Sequence, residues 1–252
     1  MIYLKSNHEI GIVRKNGAIL AEIFDRLADF IKPGVTTAEI NRLTEEVFAK
    51  HSAIPSFLGY RGFPAAACVS VNEVVVHGIP SARRLEEGDI VSVDIGAYRN
   101  GFHADAARTY PVGDIAPPVA KLIKAAEDAF FAGCNMAKPG GRVSDISNAV
   151  QLSAEAAGFG VVRDMLGHGI GRSLHEDPPV PNYGGAGKGP KLRHGMLLAI
   201  EPMLTLGDCR IVTSKIDGWT CSTIDGKPAS HYENTVAITR EGLQILTISV
   251  SP

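Results

Sequence analysis

The chain of 252 residues has few of the features that mark secreted, membrane-bound or redox-active proteins. Its four cysteines lie far apart and never as C-x-x-C, so the sequence predicts neither a zinc knuckle nor a redox pair. No apolar run reaches the roughly 18 residues that a membrane span requires, and residues 1–9 lack the apolar core of a signal peptide. We therefore expect a cytoplasmic protein with reduced thiols and no membrane partner.

An excess of charge is also missing, since 25 Lys and Arg residues face 27 Asp and Glu residues, for a net charge of −2. Phosphate binding draws on a surplus of basic residues, so we expect no DNA partner. The P-loop, the G-x-S-x-G elbow and the H-E-x-x-H motif are absent as well. The chain as a whole has 45% hydrophobic and 21% charged residues, a composition typical of a folded globular protein.

Hydrophobic periodicity predicts helices, strands, helices and strands in that order, and hence an α+β protein. Two residue pairs with capping-box spacing, Ser6 with Glu9 and Thr36 with Glu39, predict the first two helix starts. Short segments rich in Val and Ile predict strands, and residues 98–102 carry a hairpin turn signal. The predicted helices begin near residues 6, 36, 118 and 144, and the predicted strands include 67–76, 90–95 and much of the last third.

A repeat relates the first part of the chain to the second. Four features recur in the same order, which predicts one domain over residues 1–252, built of two related halves at about 1–115 and 116–252. The matching features are Lys32-Pro33-Gly34 with Lys138-Pro139-Gly140, Glu39-Ile40 with Asp145-Ile146, residues 77–80 with 175–178, and the Gly88 to Asp94 spacing with the Gly195 to Glu201 spacing.

Two aspartates flank the predicted hairpin turn. A two-residue turn at 99–100 or at 100–101 places Asp94 directly opposite Asp105 or two positions along, on one face of the sheet in both cases. Like charges this close need a cation or a shared proton. The alternative interpretation is a pair of unrelated surface aspartates.

Two glutamates make a shared site the better interpretation. Glu201 follows the apolar run 196–200 and Glu233 precedes the run 234–238, so both are expected to be buried and to need partners. Brought together by a pseudo-twofold axis, the four carboxylates carry a charge that two divalent cations neutralise. Oxygen ligands with little nitrogen and no thiolate favour Mn²⁺, Fe²⁺, Co²⁺ or Mg²⁺ over structural zinc.

Histidines complete the predicted site. His168 lies between two glycines that permit close backbone approach, and His77 and His175 occupy matching positions in the two halves. Such positions suit an acid, a base or an oxyanion donor near neutral pH. For the other histidines we expect surface or satisfied core positions. These are His8, His51, His103, His194 and His231.

Six motifs join these residues into one pattern. They are residues 72–80 (NEVVVHGIP), Val93-Asp94 with 101–105 (GFHAD), 167–171 (GHGIG) with His175-Glu176, 200–203 (IEPM), 217–219 (DGW) and 232–235 (YENT). Along essentially its whole length the chain resembles the type I methionine aminopeptidases in their short bacterial form. The resemblance implies the pita-bread fold, an antiparallel sheet with pseudo-twofold symmetry and two helix pairs on one face.

The resemblance implies an enzyme that removes the initiator methionine from newly made proteins, with two divalent metal ions such as Co²⁺, Mn²⁺ or Fe²⁺. The substrate's free α-amine would bind the metal held by Asp94, which restricts cleavage to N-termini. The implied partners are N-terminal Met peptides and nascent chains at the ribosome, and the implied state is a monomer. The implied metal ligands are Asp94, Asp105, His168, Glu201 and Glu233, with Asp105 and Glu233 bridging the two ions.

The resemblance also assigns roles in catalysis. Glu201 would take a proton from the attacking water, His175 would stabilise the oxyanion, and His77 would hydrogen-bond the scissile amide. The methionine side chain would lie in a pocket formed by Tyr60, Phe63, Cys68, Leu174, Met203 and Trp219.

Three residues depart from the family pattern near the site. Leu174 stands where an aromatic residue is common, Phe57 where many members have Cys, and Gly96 where many have Thr. These departures bear on the shape of the pocket and on the preferred metal.

Two other functions use the same fold. Pita-bread hydrolases that act on proline-containing peptides have the same five ligands, but they normally carry an extra N-terminal domain for which 252 residues leave no room. A non-catalytic relative that binds peptide or RNA would usually lack some of the ligands, and all five are present.

Overall fold

Capping boxes begin the first two helices, as the sequence predicts. In the computed structural model, which describes residues 1–248, the Ser6 hydroxyl accepts the Glu9 N–H and the Glu9 carboxylate accepts the Ser6 N–H. Thr36 and Glu39 form the same pair of hydrogen bonds. Residues 249–252 of the predicted domain lie outside the described residues. The helices are α1 (Asn7–Phe30), α2 (Thr37–Lys50), α3 (Pro117–Met136) and α4 (Val143–Ala156), with a short 3₁₀ helix at Tyr60–Gly62.

Fifteen strands lie within residues 1–248, and all of their pairings are antiparallel. The strands are β1 (Ile54–Pro55), β2 (Ala67–Val71), β3 (Val74–Val76), β4 (Ile90–Arg99), β5 (Phe102–Pro111), β6 (Gly160–Val161), β7 (Gly167–Gly169), β8 (Glu176–Val180), β9 (Leu197–Ile200), β10 (Met203–Thr205), β11 (Ile211–Thr213), β12 (Cys221–Thr223), β13 (Ala229–His231), β14 (Glu233–Thr239) and β15 (Gly242–Ile245).

Nine of these strands form the main sheet, in the order β1-β4-β5-β14-β9-β7-β8, with β2 paired to β4 and β15 paired to β14. Two smaller sheets have the orders β13-β10-β6 and β11-β12-β3. The helices pack in two pairs, since α1 contacts α2 and α3 contacts α4. The α1 helix covers β4 and β5, and α3 covers β10 and β13. Within residues 1–248, no helix has the length and apolar character needed to cross a membrane.

The hairpin of β4 and β5 fixes where the two aspartates lie. Its turn is Asn100-Gly101, and both residues have positive φ, at 53° and 82°, as a tight two-residue hairpin turn requires. The resulting register pairs Asp94 with Ala107 and Asp105 with Gly96. Of the two predicted arrangements, the structure therefore has the one in which the aspartates are two positions apart on the same face.

A short seam between β5 and β14 brings Glu233 to this face. Glu233 pairs with Ala107, the same residue that Asp94 pairs with from the other side. Thr235 then continues the seam through its side chain, because its Oγ1 accepts the Asp105 N–H at 2.8 Å and donates to the Asp105 carbonyl at 2.9 Å. Opposite residues in a sheet share a face, so register alone aligns these carboxylates.

Each predicted half repeats the same local contacts. The Gly34 N–H donates to the Leu85 carbonyl at 2.8 Å, and the Gly140 N–H donates to the Leu192 carbonyl at 2.9 Å. Each contact fastens the turn between two helices to the segment that leads into a carboxylate-bearing strand. The matched contacts support the proposal that the domain consists of two related halves.

Substitution of Phe130 in α3 tests the apolar packing between the helices and the sheet. Its side chain is fully buried, whereas the neighbouring Phe131 is 40% exposed. We expect Phe130→Ala to lower the free energy of unfolding by about 3–5 kcal/mol, because it leaves a cavity in the core. The matched variant Phe131→Ala should lose clearly less. Urea unfolding measures both, and equal losses would contradict the assignment of Phe130 to the core.

Candidate active site

One cavity of about 200 Å³ collects every residue that the sequence predicts for the site. Acidic, imidazole and apolar side chains all line it. Phe57, which the sequence places near the site, also lines the cavity, as do Arg61, Val76, Met165 and Leu166, which the sequence did not predict as site residues. The predicted residues in its wall are Tyr60, Phe63, Cys68, His77, Asp94, Asp105, His168, Leu174, His175, Glu201, Met203, Trp219 and Glu233.

The carboxylates have oxygens without protein partners. Asp105 and Glu233 are buried, and the Glu201 side chain is only 13% exposed. Buried atoms without a hydrogen bond include Oδ1 of Asp94, Oδ1 of Asp105 and Oε1 of Glu233. Unpaired buried carboxylate oxygens are strongly unfavourable, so this arrangement calls for protons or cations at the site.

Burial raises the pKa of all four carboxyl groups. The pKa of Asp94 rises to about 7, first because the group is desolvated. The pKa values of Asp105, Glu201 and Glu233 also rise, through desolvation first and then through repulsion by the neighbouring carboxylates. Removing protons therefore requires compensating positive charge. A donor set of carboxylate oxygens with one imidazole fits hard or borderline divalent metal ions.

His168 contributes the nitrogen of this donor set. Its Nδ1 lies 2.8 Å from the Gly169 carbonyl, so Nδ1 carries the proton and Nε2 keeps its lone pair. Nε2 lies 3.6 Å from Oε1 of Glu201 and 3.9 Å from Oδ2 of Asp105. Asp105, His168 and Glu233 also have ligand atoms that all lie within 4.8 Å of one another, as one metal ion requires.

The glycines beside His168 are required by close backbone contacts. A Cβ on Gly167 would lie 2.4 Å from the Ala199 carbonyl oxygen, and one on Gly169 would lie 2.1 Å from the Asp177 carbonyl oxygen. Only glycine permits β7 to pass this close to both neighbouring strands. The flanking glycines therefore hold His168 against the carboxylates.

His175 lies at the mouth of the cavity and is oriented by Tyr60. The Tyr60 hydroxyl is 2.8 Å from Nδ1 of His175, and the two rings stack. The His175 ring also lies 4.2 Å from the His168 ring, centroid to centroid. Desolvation, followed by the nearby His168 and Arg61, lowers the pKa of His175, so the imidazole is neutral at pH 7. A neutral imidazole whose Nδ1 accepts the Tyr60 hydroxyl has an N–H on Nε2 to donate.

His77 occupies a strained position at the end of β3. Its φ is 61°, which is unusual for a residue with a side chain and is common at functional sites. Its ring meets the edge of Trp219, with the centroids 6.0 Å apart. Burial lowers the pKa of His77, which keeps this imidazole neutral as well.

An apolar wall faces the carboxylates. Phe63 meets Trp219 edge to face at 5.2 Å, and Phe63 is almost fully buried. Cys68, Leu174 and Met203 are also buried, and Cys68 pairs with Asp94 across β2 and β4. An unbranched apolar side chain fits such a wall.

Two of the three departures from the family pattern lie against each other. A Cβ on Gly96 would lie 3.1 Å from Cε1 of Phe57 and 2.7 Å from Cβ of Ser56. A larger residue at 96 would therefore overlap the wall that Phe57 and Ser56 form. The third departure, Leu174, is buried next to His175 in the same cavity.

The expectation of a surface or satisfied core position fails for His231. Its side chain is buried, neither ring nitrogen has a hydrogen bond, and Nε2 lies 3.6 Å from Oε2 of Glu201. The sequence feature that could have predicted this position is that His231 lies two residues before Glu233, which puts both side chains on one side of an extended chain. By contrast, His51 contacts Glu22 at 2.7 Å and His103 contacts Ser56 at 2.9 Å. His8 is exposed, and His194 is partly buried.

Comparisons with known proteins identify the family of the chain. The model of metallopeptidase family M24 matches residues 11–240. A methionine aminopeptidase of Clostridium perfringens is 53% identical over 248 residues, with 98% of this chain and 99% of the relative covered. Methionine aminopeptidase 1 of Bacillus subtilis is 50% identical over 247 residues, with the same coverage.

Solved structures give the same result. The crystal structure of a methionine aminopeptidase from Thermotoga maritima matches with a TM-score of 0.97 and 45% identity, over 99% of this chain and 100% of that one. A Xaa-Pro dipeptidase from Bacillus anthracis matches with a TM-score of 0.79 and 25% identity, and the chain spans only 63% of its length.

The chain therefore belongs to metallopeptidase family M24, whose members are hydrolases, and the predicted pita-bread fold is confirmed. Within that family its full-length relatives are the methionine aminopeptidases. The carboxylate and histidine cluster supports a divalent metal cofactor.

A buried ion pair formed by Lys5 next to the cavity can be tested by substitution. Its ammonium group is buried and forms an ion pair with Glu176, the residue after His175. We expect Lys5→Met to lower the free energy of unfolding by about 3–5 kcal/mol, because Glu176 is left buried without a cation. The exposed Lys15→Met is the control. Equal unfolding free energies for the two variants in urea would contradict a structural role for this pair.

The raised pKa of Asp94 gives a second test, on protein freed of metal by a chelator. Because the folded pKa of about 7 exceeds the ordinary value of 3.8, the folded chain holds this proton more tightly, and that stabilisation is lost as the pH rises through 7. Asp94→Asn removes this dependence. The gain in stability from Asp94→Asn should therefore be larger at pH 8 than at pH 5, as measured by urea unfolding. The exposed Asp164→Asn should show no such difference.

Proposed function

We propose that this chain removes the N-terminal methionine from newly made proteins by hydrolysis of the first peptide bond. The observation that carries the proposal is the cavity in which buried carboxylates and imidazoles face an apolar wall. The relatives named methionine aminopeptidase cover the chain almost completely, which supports the same activity here.

Two divalent metal ions are the proposed cofactor, with Mn²⁺, Co²⁺ or Fe²⁺ as candidates. Four carboxylates and a neutral His168 carry a charge that two such ions cancel. When bound, the ions would supply Lewis-acid polarisation and lower the pKa of water. The residues that would hold them are Asp94, Asp105, His168, Glu201 and Glu233.

The chain's own groups are proposed to act on the substrate as follows. Glu201 takes the proton of the attacking water on a carboxylate oxygen. His175, fixed by Tyr60, donates its Nε2–H to the oxygen on which negative charge develops. His77 hydrogen-bonds the scissile amide nitrogen and assists departure of the new amine. All of these side chains line the same cavity, which brings them within reach of one peptide bond.

The apolar wall is proposed to select methionine. Its side chain would lie between the acidic cluster and the Phe63–Trp219 pair, where a flexible thioether packs well against aromatic rings. The free α-amine would lie near Asp94, which limits cleavage to N-termini. The remaining pocket residues are Tyr60, Cys68, Leu174 and Met203.

We further propose that the chain acts as a monomer in the cytoplasm, on nascent chains at the ribosome. Free cysteines at all four positions agree with a reducing compartment.

The metal-dependent activity is tested with chelated protein and short Met-Gly peptides. Asp105→Ala and Glu201→Ala should each lower kcat by at least about 100-fold in added Mn²⁺ or Co²⁺, because each removes a metal ligand or the base. The exposed Glu45→Ala is the control. Wild-type activity in either variant, or activity indifferent to chelation, would overturn the proposed site.

Substrate choice is tested separately, because the fold is shared with Xaa-Pro peptidases. We expect release of methionine from Met-Gly peptides and no cleavage of Xaa-Pro peptides lacking methionine. The reverse pattern would replace the proposed activity with that of the Xaa-Pro enzymes while leaving the metal site intact.

A further inference from the structure

His231 lies behind the acidic cluster. It is 1% exposed, and both of its ring nitrogens are buried without a hydrogen bond. Its Nε2 lies 3.6 Å from Oε2 of Glu201 and 3.8 Å from Oε2 of Glu233. The cavity wall includes both glutamates but not His231, so the imidazole contacts them without lining the cavity itself.

The two glutamates present different oxygens to different partners. Oε1 of Glu201 lies 3.6 Å from Nε2 of His168 in the cavity wall, whereas Oε2 of the same carboxylate faces His231. Glu233 is arranged in the same way, because its Oε2 faces His231 and its Oε1 is buried without a partner. The single imidazole of His231 therefore lies close to Oε2 of both carboxylates.

The backbone of His231 is fixed from the strand that carries Asp105. The His231 N–H donates to Oγ1 of Thr109 at 3.0 Å, and that hydroxyl donates to the His231 carbonyl at 2.9 Å. On its other side, His231 pairs with Met203 across β10 and β13. The backbone is thus held on both sides, and burial of the side chain leaves the ring little room to turn away from the glutamates.

We propose that His231 is a positioning residue for Glu201 and Glu233: an N–H on its Nε2 attracts the Oε2 atoms, 3.6 and 3.8 Å away, and so leaves the Oε1 atoms to the proposed metal site. Groups that hydrogen-bond a ligating carboxylate typically change metal affinity by about 10–100-fold when they are removed. The inference rests on the proposed function, since the two carboxylates are the proposed ligands and base.

The test measures binding of Mn²⁺ to chelated protein by titration calorimetry, together with kcat and KM for a Met-Gly peptide. His231→Leu should raise the Kd for Mn²⁺ by about 10–100-fold and lower kcat, while KM changes little. His231→Gln keeps an N–H donor of similar reach and should stay close to wild type. The matched control is His194→Leu, because His194 also has a buried, unpaired Nδ1 but lies outside the cavity wall.

A second variant covers the case in which His231→Leu does not fold. His231→Asn stays polar but is too short to reach the carboxylates, so it should show the same weakened binding. Wild-type Kd and kcat in a folded Leu or Asn variant would overturn the inference. Equal losses in His231→Gln and His231→Leu would also overturn it, because the imidazole itself would then be needed. A wild-type chain that binds no Mn²⁺ would instead overturn the proposed function.

Discussion

The crowding of four carboxyl groups at one end of a cavity is the constraint on which the rest of the structure depends. Each group loses solvation there, which raises all four pKa values, and repulsion by neighbouring carboxylates further raises the pKa values of Asp105, Glu201 and Glu233. The surrounding elements hold the groups in place against that repulsion. The sheet register fixes Asp94 and Glu233 on either side of Ala107, and the Thr235 side chain ties down Asp105. A site of this kind is stable only when the protein around it is rigid.

Much of this arrangement can be predicted from the sequence because its signals are local. Capping boxes at Ser6 and Thr36 mark the helix starts, and the offset of 106 residues between Gly34 and Gly140 reveals the repeat. Carboxylates next to apolar runs, such as Glu201, signal burial that needs a partner. The motifs then identify the family, and the cavity collects all of the site residues that the resemblance implies.

The rest depends on contacts between distant parts of the chain, which local patterns do not encode. Two hairpin registers were open, and only the positive φ values at Asn100 and Gly101 decide between them. His231 has a local signal for its contact with Glu233, two residues on, but its contact with Glu201 depends on the pairing of β10 with β13. The Lys5–Glu176 ion pair has no signal in the sequence at all, since a surface lysine near a helix start is the common case.

The ion pair between Lys5 and Glu176 also bears on the order in which parts of the molecule can fold. Its partners are 171 residues apart, and the seam between Asp105 and Thr235 joins residues that are 130 apart. Contacts of such long range form late, because the intervening chain must first be brought together. During synthesis the proposed first half, residues 1–115, emerges before His168, Glu201 and Glu233. Catalytic competence therefore arrives only with the completed chain, so an unfinished copy has no working site.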